Sequence, residues 1–225
     1  MKKYELTQNT KITLRGTLYQ IKALIDIPQK GVKIGDLGGY IQHEDNLSHE
    51  GTCWVDEKAY VFDNAKVLGD AQVFGDAWVF DNAQIYAMAL VYGEARVFGT
   101  ARVFNNAWVY GNAKVYGDTR IFDDARIFGK AYVYGNAYVY GKAKVSCDAA
   151  LIGGRWTENP ITIIGSLHNV CQCDTNKIKI GCHVLTFDEW LEEYERIGKL
   201  NKYTDKQIKE YKMFIKLIIK LNKTT

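Results

Sequence analysis

Long apolar runs are missing from this chain of 225 residues. The longest near the C-terminus, Phe214 to Leu221, is interrupted by Lys216 and Lys220 and is far too short to cross a bilayer, so no membrane anchor is expected. No apolar signal run follows Met1-Lys2-Lys3-Tyr4-Glu5, and the cysteines, at Cys53, Cys147, Cys171, Cys173 and Cys182, are few and odd in number. A reduced, cytoplasmic protein is the reading these absences favour over a disulfide-stapled secreted one. A strongly basic field is missing too. The net charge of +3 divides into about +4 from residue 176 onward and roughly −1 across the middle of the chain, which does not oblige nucleic-acid binding. Histidine is absent between His49 and His168.

What the chain has instead is a period of six. From Val55 to Leu151 every sixth residue is Val, Ile or Leu, and two residues before each stands an Ala, broken only by Cys53 and Thr119. No α-helix can hold a strict period of six on one face, because turns of 3.6 residues scatter it around the axis. A six-residue period with a local alternation of two fits short strands instead, with Ala and the aliphatic residue pointing inward and the residue between them outward. The units read like Ala71-Gln72-Val73-Phe74-Gly75-Asp76 and Ala107-Trp108-Val109-Tyr110-Gly111-Asn112. Gly, Asn and Asp close each unit because they tolerate the positive φ of a tight corner. The chain is therefore expected to be mainly β, a β-solenoid of stacked coils.

These units resemble the hexapeptide-repeat family of left-handed parallel β-helices, in which three units make one triangular coil. The resemblance implies the handedness and the three-fold coiling, and the seventeen units then make five to six coils. Ahead of them, Gly35-Asp36-Leu37-Gly38-Gly39-Tyr40-Ile41, Asp45-Asn46-Leu47-Ser48 and Gly51-Thr52-Cys53-Trp54-Val55 are similar to the lead-in of a widespread, largely uncharacterised branch found in bacteria and phages. A phage or prophage origin is what that likeness implies.

Four parts are expected along the chain. Residues 1–50 form an N-terminal β cap, with strand-like runs Lys11 to Leu14 and Thr17 to Ile27 joined at Arg15-Gly16, because an open solenoid end exposes core and unpaired backbone. Residues 51–153 are the β-helix. Residues 154–185 are a strand-rich cap in which the register lapses over Arg155 to Pro160 and strands return at Ile161 to Ile164 and Lys177 to Ile180. Residues 186–225 are a helical hairpin whose helices open with the capping-box patterns Thr186-Phe187-Asp188-Glu189 and Thr204-Asp205-Lys206-Gln207. Ile208, Tyr211, Ile215 and Ile218 share one face of the second helix and Lys209, Lys212, Lys216 and Lys220 another, so it is expected to pack on the solenoid end or on a second copy.

Many hexapeptide-repeat proteins are acyltransferases, in which a histidine acts as general base and a neighbouring subunit helps to bind coenzyme A. This repeat has neither a histidine nor an extruded loop, and only His43, His49, His168 or His183 could approach a coil face from outside. An acetyl-coenzyme A dependent acyltransferase stays as the alternative, and no catalytic residue is assigned. His168, Cys171, Cys173, Cys182 and His183 are zinc-type ligands, but Cys171 and Cys173 are one residue apart rather than two to four. That spacing on a strand puts both sulfurs on one face, which suits packing as well as a metal, so no metal or other cofactor is assigned. Cys53 and Cys147 stand at small-residue or corner positions and read as structural.

The outer surface carries the remaining signal. After each inward aliphatic residue from Phe62 to Tyr140 comes Phe or Tyr, Leu68 excepted, and at eighteen residues per coil these stack into ring ladders. The outward position between Ala and Val holds no acid from Trp54 to Lys144. Trp78, Arg96 and Lys114 should form one strip with Tyr60 and Tyr132 at its ends, Arg102 and Arg120 a second, with Trp108 and Arg126 nearby. Faces rich in Trp, Tyr and Arg and poor in acids have the composition of protein-interface centres. They are also similar to single-stranded nucleic-acid platforms, and large residues simply suit exposed strand centres. The leading expectation is a non-catalytic binding protein with a protein partner, nucleic acid being the second option, that also forms a homodimer. A phage protein of this kind fits inhibition of a host defence protein or nuclease complex in the host cytoplasm; sequestering a small ligand or nucleotide between subunits is a third option.

Overall fold

The computed structural model describes every residue except 57, 147, 148 and 223–225. Cys147 therefore lies outside the described residues. Each six-residue unit forms a two-residue strand, such as Trp78–Val79, Arg96–Val97 or Lys114–Val115, followed by a corner. Successive coils pair in parallel at an offset of eighteen, so that Arg96 lies beside Trp78 on one side and Lys114 on the other. Three sheets result, making a three-sided β-solenoid of about six turns. Backbone hydrogen bonds run from coil to coil: Arg96 N–H donates to Ala113 O at 2.9 Å and Phe98 N–H to Val115 O at 3.0 Å. The Ala and aliphatic columns fill the interior and are fully buried, each Val contributing about 1.5–3 kcal/mol. Thr119 occupies one Ala place, with its hydroxyl buried and without a hydrogen-bond partner.

The solenoid is longer at both ends than the six-residue register indicates. Tyr40–Ile41 already pairs in parallel with Tyr60–Val61, and Leu47 bridges Val67, so the lead-in segment is itself a coil. Its third side carries two extra residues, Leu47 to Val55 being eight rather than six apart. At the other end Arg155–Trp156 pairs with Tyr138–Val139, and the Trp156 ring closes the core. The lapse after Leu151 is thus a side shortened by one residue, not an exit from the coil.

Above the first coil, β1 (Tyr4–Thr13) and β2 (Gly16–Ala23) form a hairpin turning at Leu14-Arg15, and β2 pairs with β3 (Leu37–Ile41). The first strand therefore begins earlier than Lys11, and the second ends at Ala23 rather than Ile27. Lys3 seals the open end: its buried Nζ donates to Cys53 O at 2.8 Å and lies 3.2 Å from Cys53 Sγ. At the far end four antiparallel strands, Thr162–Ile164, Asn169–Asp174, Lys177–Ile180 and His183–Thr186, replace the expected pair. α1 (Phe187–Leu200) and α2 (Asp205–Asn222) pack on this sheet, with Ile208, Tyr211, Ile215 and Ile218 buried as their spacing indicates. Both capping boxes form, through Thr186 with Glu189 and Thr204 with Gln207.

Corners repeat the left-handed backbone on which the units depend. One column runs Gly69, Ala87, Asn105, Asp123 and Gly141, all with positive φ. Ala87, at φ 56°, has neither the freedom of glycine nor a side-chain amide or carboxylate to compensate. Ala87→Gly is expected to stabilise the protein by about 1 kcal/mol, seen as a higher midpoint in thermal unfolding, while an unchanged or lower midpoint would show that no strain is stored there.

Candidate binding surface

Because coils stack at an offset of eighteen, outward residues three units apart become neighbours, and three columns form. The first face carries Tyr60, Trp78, Arg96, Lys114 and Tyr132 in consecutive coils, as their spacing indicates. The second carries Lys66, Gln84, Arg102, Arg120, Tyr138 and Arg155. The third carries Gln72, Leu90, Trp108, Arg126 and Lys144. Beside the columns run the ring ladders, each pair nearly parallel: Phe62–Phe80 and Phe80–Phe98 at 5.1 and 4.8 Å, Tyr86–Phe104 at 4.8 Å, Phe74–Tyr92 at 4.6 Å. These rings, Phe62 buried and the others half-buried, brace neighbouring coils, which makes the platform under the columns stiff.

Within the columns cations lie on rings of adjacent coils. The Arg96 guanidinium is 5.4 Å from the Trp78 ring, Lys114 Nζ is 5.1 Å from Tyr132, Arg126 is 4.5 Å from Trp108 and Arg120 is 5.1 Å from Tyr138. Arg155, missed in the sequence because its side of the coil is one residue short, has its guanidinium 5.4 Å from the same Tyr138 ring. None of Arg96, Arg102, Lys114, Arg120 or Arg126 forms an ion pair among the described residues; the ion pairs there belong to the N-terminal cap, two neighbouring corners and α1. The acids stay at the corners and bond along their own columns, Asn105 to Asp123 at 3.0 Å and Asn106 to Asp124 at 3.1 Å. Arg102 apart, these cations are thus ordered by rings without being neutralised, at about 0.5–1 kcal/mol per exposed contact.

Two residues at the start of this surface are covered rather than open. Trp54 is 1 % exposed under the N-terminal cap. Tyr60 is held by the hairpin: Lys11 Nζ donates to its hydroxyl at 2.5 Å and lies 4.8 Å from its ring. Arg15 reaches further, to Asp63 at 2.5 Å and Asp81 at 2.6 Å, with its guanidinium 5.1 Å from Phe80. The open part of the first face begins at Trp78.

The chemistry of general bases and metals is not assembled on these faces. His49 is stacked on Tyr4 at 4.4 Å, its Nδ1 accepts the Lys3 N–H at 3.1 Å, and burial lowers its pKa from the usual imidazole value. His168 and His183 belong to the C-terminal cap. Cys171 and Cys173 share the sheet face turned to the last coil, where burial pushes the Cys173 thiol up to about 12, so both pack as small hydrophobes. Cys182 is exposed, and no group of three metal-ligating side chains converges among the described residues. No described helix is long and apolar enough to cross a membrane. No family model matches the chain, and no curated protein does.

Proposed function

We propose that this protein is a non-catalytic binding protein that grips a protein partner through the outward columns of a rigid solenoid. The observation that carries the reading is the state of Arg96, Lys114, Arg120 and Arg126, which lie against Trp and Tyr rings and have no carboxylate partners among the described residues. Trp, Tyr and Arg dominate the energetic centres of protein interfaces, and a preordered guanidinium loses little freedom when a partner's acid arrives. On the likeness of the lead-in segment alone, we further propose a phage or prophage origin and a host defence protein or nuclease complex as the target, met in the host cytoplasm. The acyltransferase alternative has no histidine on the coil faces from Trp54 to Arg155 among the described residues to support it, and calorimetry with coenzyme A separates it from the binding reading.

The test is quantitative capture from a bacterial host lysate on immobilised wild type and on Trp78→Ala/Arg96→Ala, both fully folded by circular dichroism. A partner enriched on wild type and lost on the double variant is expected. Equal recovery on both would remove the columns from the interaction.

A homodimer is part of the same proposal. The outer side of α2 leaves Met213 and Leu217 59 % and 43 % exposed, one turn apart, between Lys209 and Lys220. Light scattering at tens of micromolar should give two chains per particle, and Met213→Glu/Leu217→Glu should return one. A monomeric wild type contradicts it.

A further inference from the structure

The second face differs from the other two in having no tryptophan and no aliphatic residue in its column. Arg102 and Arg120 lie directly opposite each other on paired strands, a like-charge juxtaposition that costs stability in an isolated sheet. Arg102 is exposed and has no hydrogen bond, ion pair or ring contact through its side chain. The only ring of the column, Tyr138, is contacted by two guanidinium groups, Arg120 at 5.1 Å and Arg155 at 5.4 Å. Alongside the arginines runs an open groove of about 420 Å³, lined by Thr100, Arg102, Asp118, Arg120, Asn136 and Tyr138. Asp118 rims it from the corner, where its carboxylate accepts the Thr100 hydroxyl.

We propose that this face binds the sugar-phosphate backbone of a single-stranded nucleic acid, independently of the protein partner assigned to the tryptophan-bearing faces. A protein interface needs a desolvated apolar centre, which this column lacks. A small free anion would use the Arg102–Arg120 pair alone, yet the column also has Lys66 two coils before Arg102, across Gln84, and Arg155 two coils after Arg120, across Tyr138, a span of roughly 24 Å at about 4.8 Å per coil. That length matches a few nucleotides of extended strand, the span over which basic grooves track single strands. Recognition is of phosphates and not of bases, since the one ring is already occupied by guanidinium groups, so little sequence preference is expected.

Fluorescence anisotropy with a labelled mixed-sequence DNA 12-mer, over a range of salt concentrations, tests the assignment on the full chain. Wild type should bind, with log Kd depending on log salt. Arg102→Ala/Arg120→Ala should weaken binding at least 10-fold and lower that slope by roughly one to two units, Arg102→Lys/Arg120→Lys should keep most of the slope, and Trp78→Ala/Arg96→Ala should leave both unchanged. Absence of binding at low salt, or binding indifferent to the arginine changes, overturns the proposal. Equal affinity for a duplex overturns the single strand as ligand, and full competition by an equimolar amount of inorganic pyrophosphate would show a free-anion site instead. Partner capture lost on the Trp78 variant while oligonucleotide binding is indifferent to the arginine changes overturns this proposal alone; oligonucleotide binding lost on the arginine variant while the Trp78 variant captures the partner as wild type does overturns the protein-partner reading alone.

Discussion

Val109→Lys is expected to unfold the middle of the solenoid. Val109 is fully buried and lies between Val91 and Ile127 in adjacent coils, so a lysine there has no route for its ammonium to water and no acid to meet. Losing a buried Val forfeits about 1.5–3 kcal/mol, and an unpaired buried charge costs several more. The total, beyond about 5 kcal/mol, is comparable to the stability of a whole domain. Because each coil supplies hydrogen bonds to the next, the damage should spread to both neighbours, which hydrogen exchange would show as lost protection around residues 90–128. Lys114→Ala, five residues away and outward, should stay within about 0.5 kcal/mol. Equally mild effects of the two changes on thermal unfolding would contradict the inward and outward assignment.

Gly39→Ala should be nearly as damaging, for a different reason. A Cβ on Gly39 would lie 2.2 Å from Asp56 O, 2.6 Å from Ala59 O and 2.7 Å from Val55 Cγ1. Two of these atoms are backbone and cannot swing aside. Relief requires β3 to lift off the next coil, breaking Tyr40 N–H to Ala59 O at 2.9 Å and Gln42 N–H to Val61 O at 3.2 Å. A loss above about 3 kcal/mol is expected, concentrated in the cap. Limited proteolysis should then cut within residues 1–50 while the coils from Val61 onward stay resistant. A variant as resistant as wild type throughout would show that the lead-in coil is not held against Val55 and Asp56.

The coils were legible in the sequence because a solenoid brings together residues at one fixed separation. Once Val55 to Leu151 establish the six-residue side and three sides the coil, the neighbours of Arg96 and Arg102 follow by counting eighteen. Capping boxes were legible for a similar reason, being contacts over three residues. What escaped depends on irregular spacing or distant chain. The eight-residue side between Leu47 and Val55 and the shortened side before Trp156 break the count, so the first coil and Arg155 were missed. Asn169–Asp174 and His183–Thr186 mix polar and apolar residues without clean alternation, and a strand pair was expected where four strands form. The cover on Tyr60 comes from Lys11, 49 residues earlier, through a side-chain contact that no local pattern announces.

The most direct test of the account is the affinity of the captured partner for wild type and for Trp78→Ala/Arg96→Ala, measured by calorimetry at physiological salt. Both side chains are exposed, Trp78 at 36 %, so the double change should leave the thermal midpoint within a few degrees of wild type. The account predicts a binding loss above about 2 kcal/mol, a roughly 30-fold rise in Kd, because ring and guanidinium together make one preordered contact. An unchanged Kd for that folded variant would contradict it, and would move the interaction to the caps at residues 1–50 and 160–222.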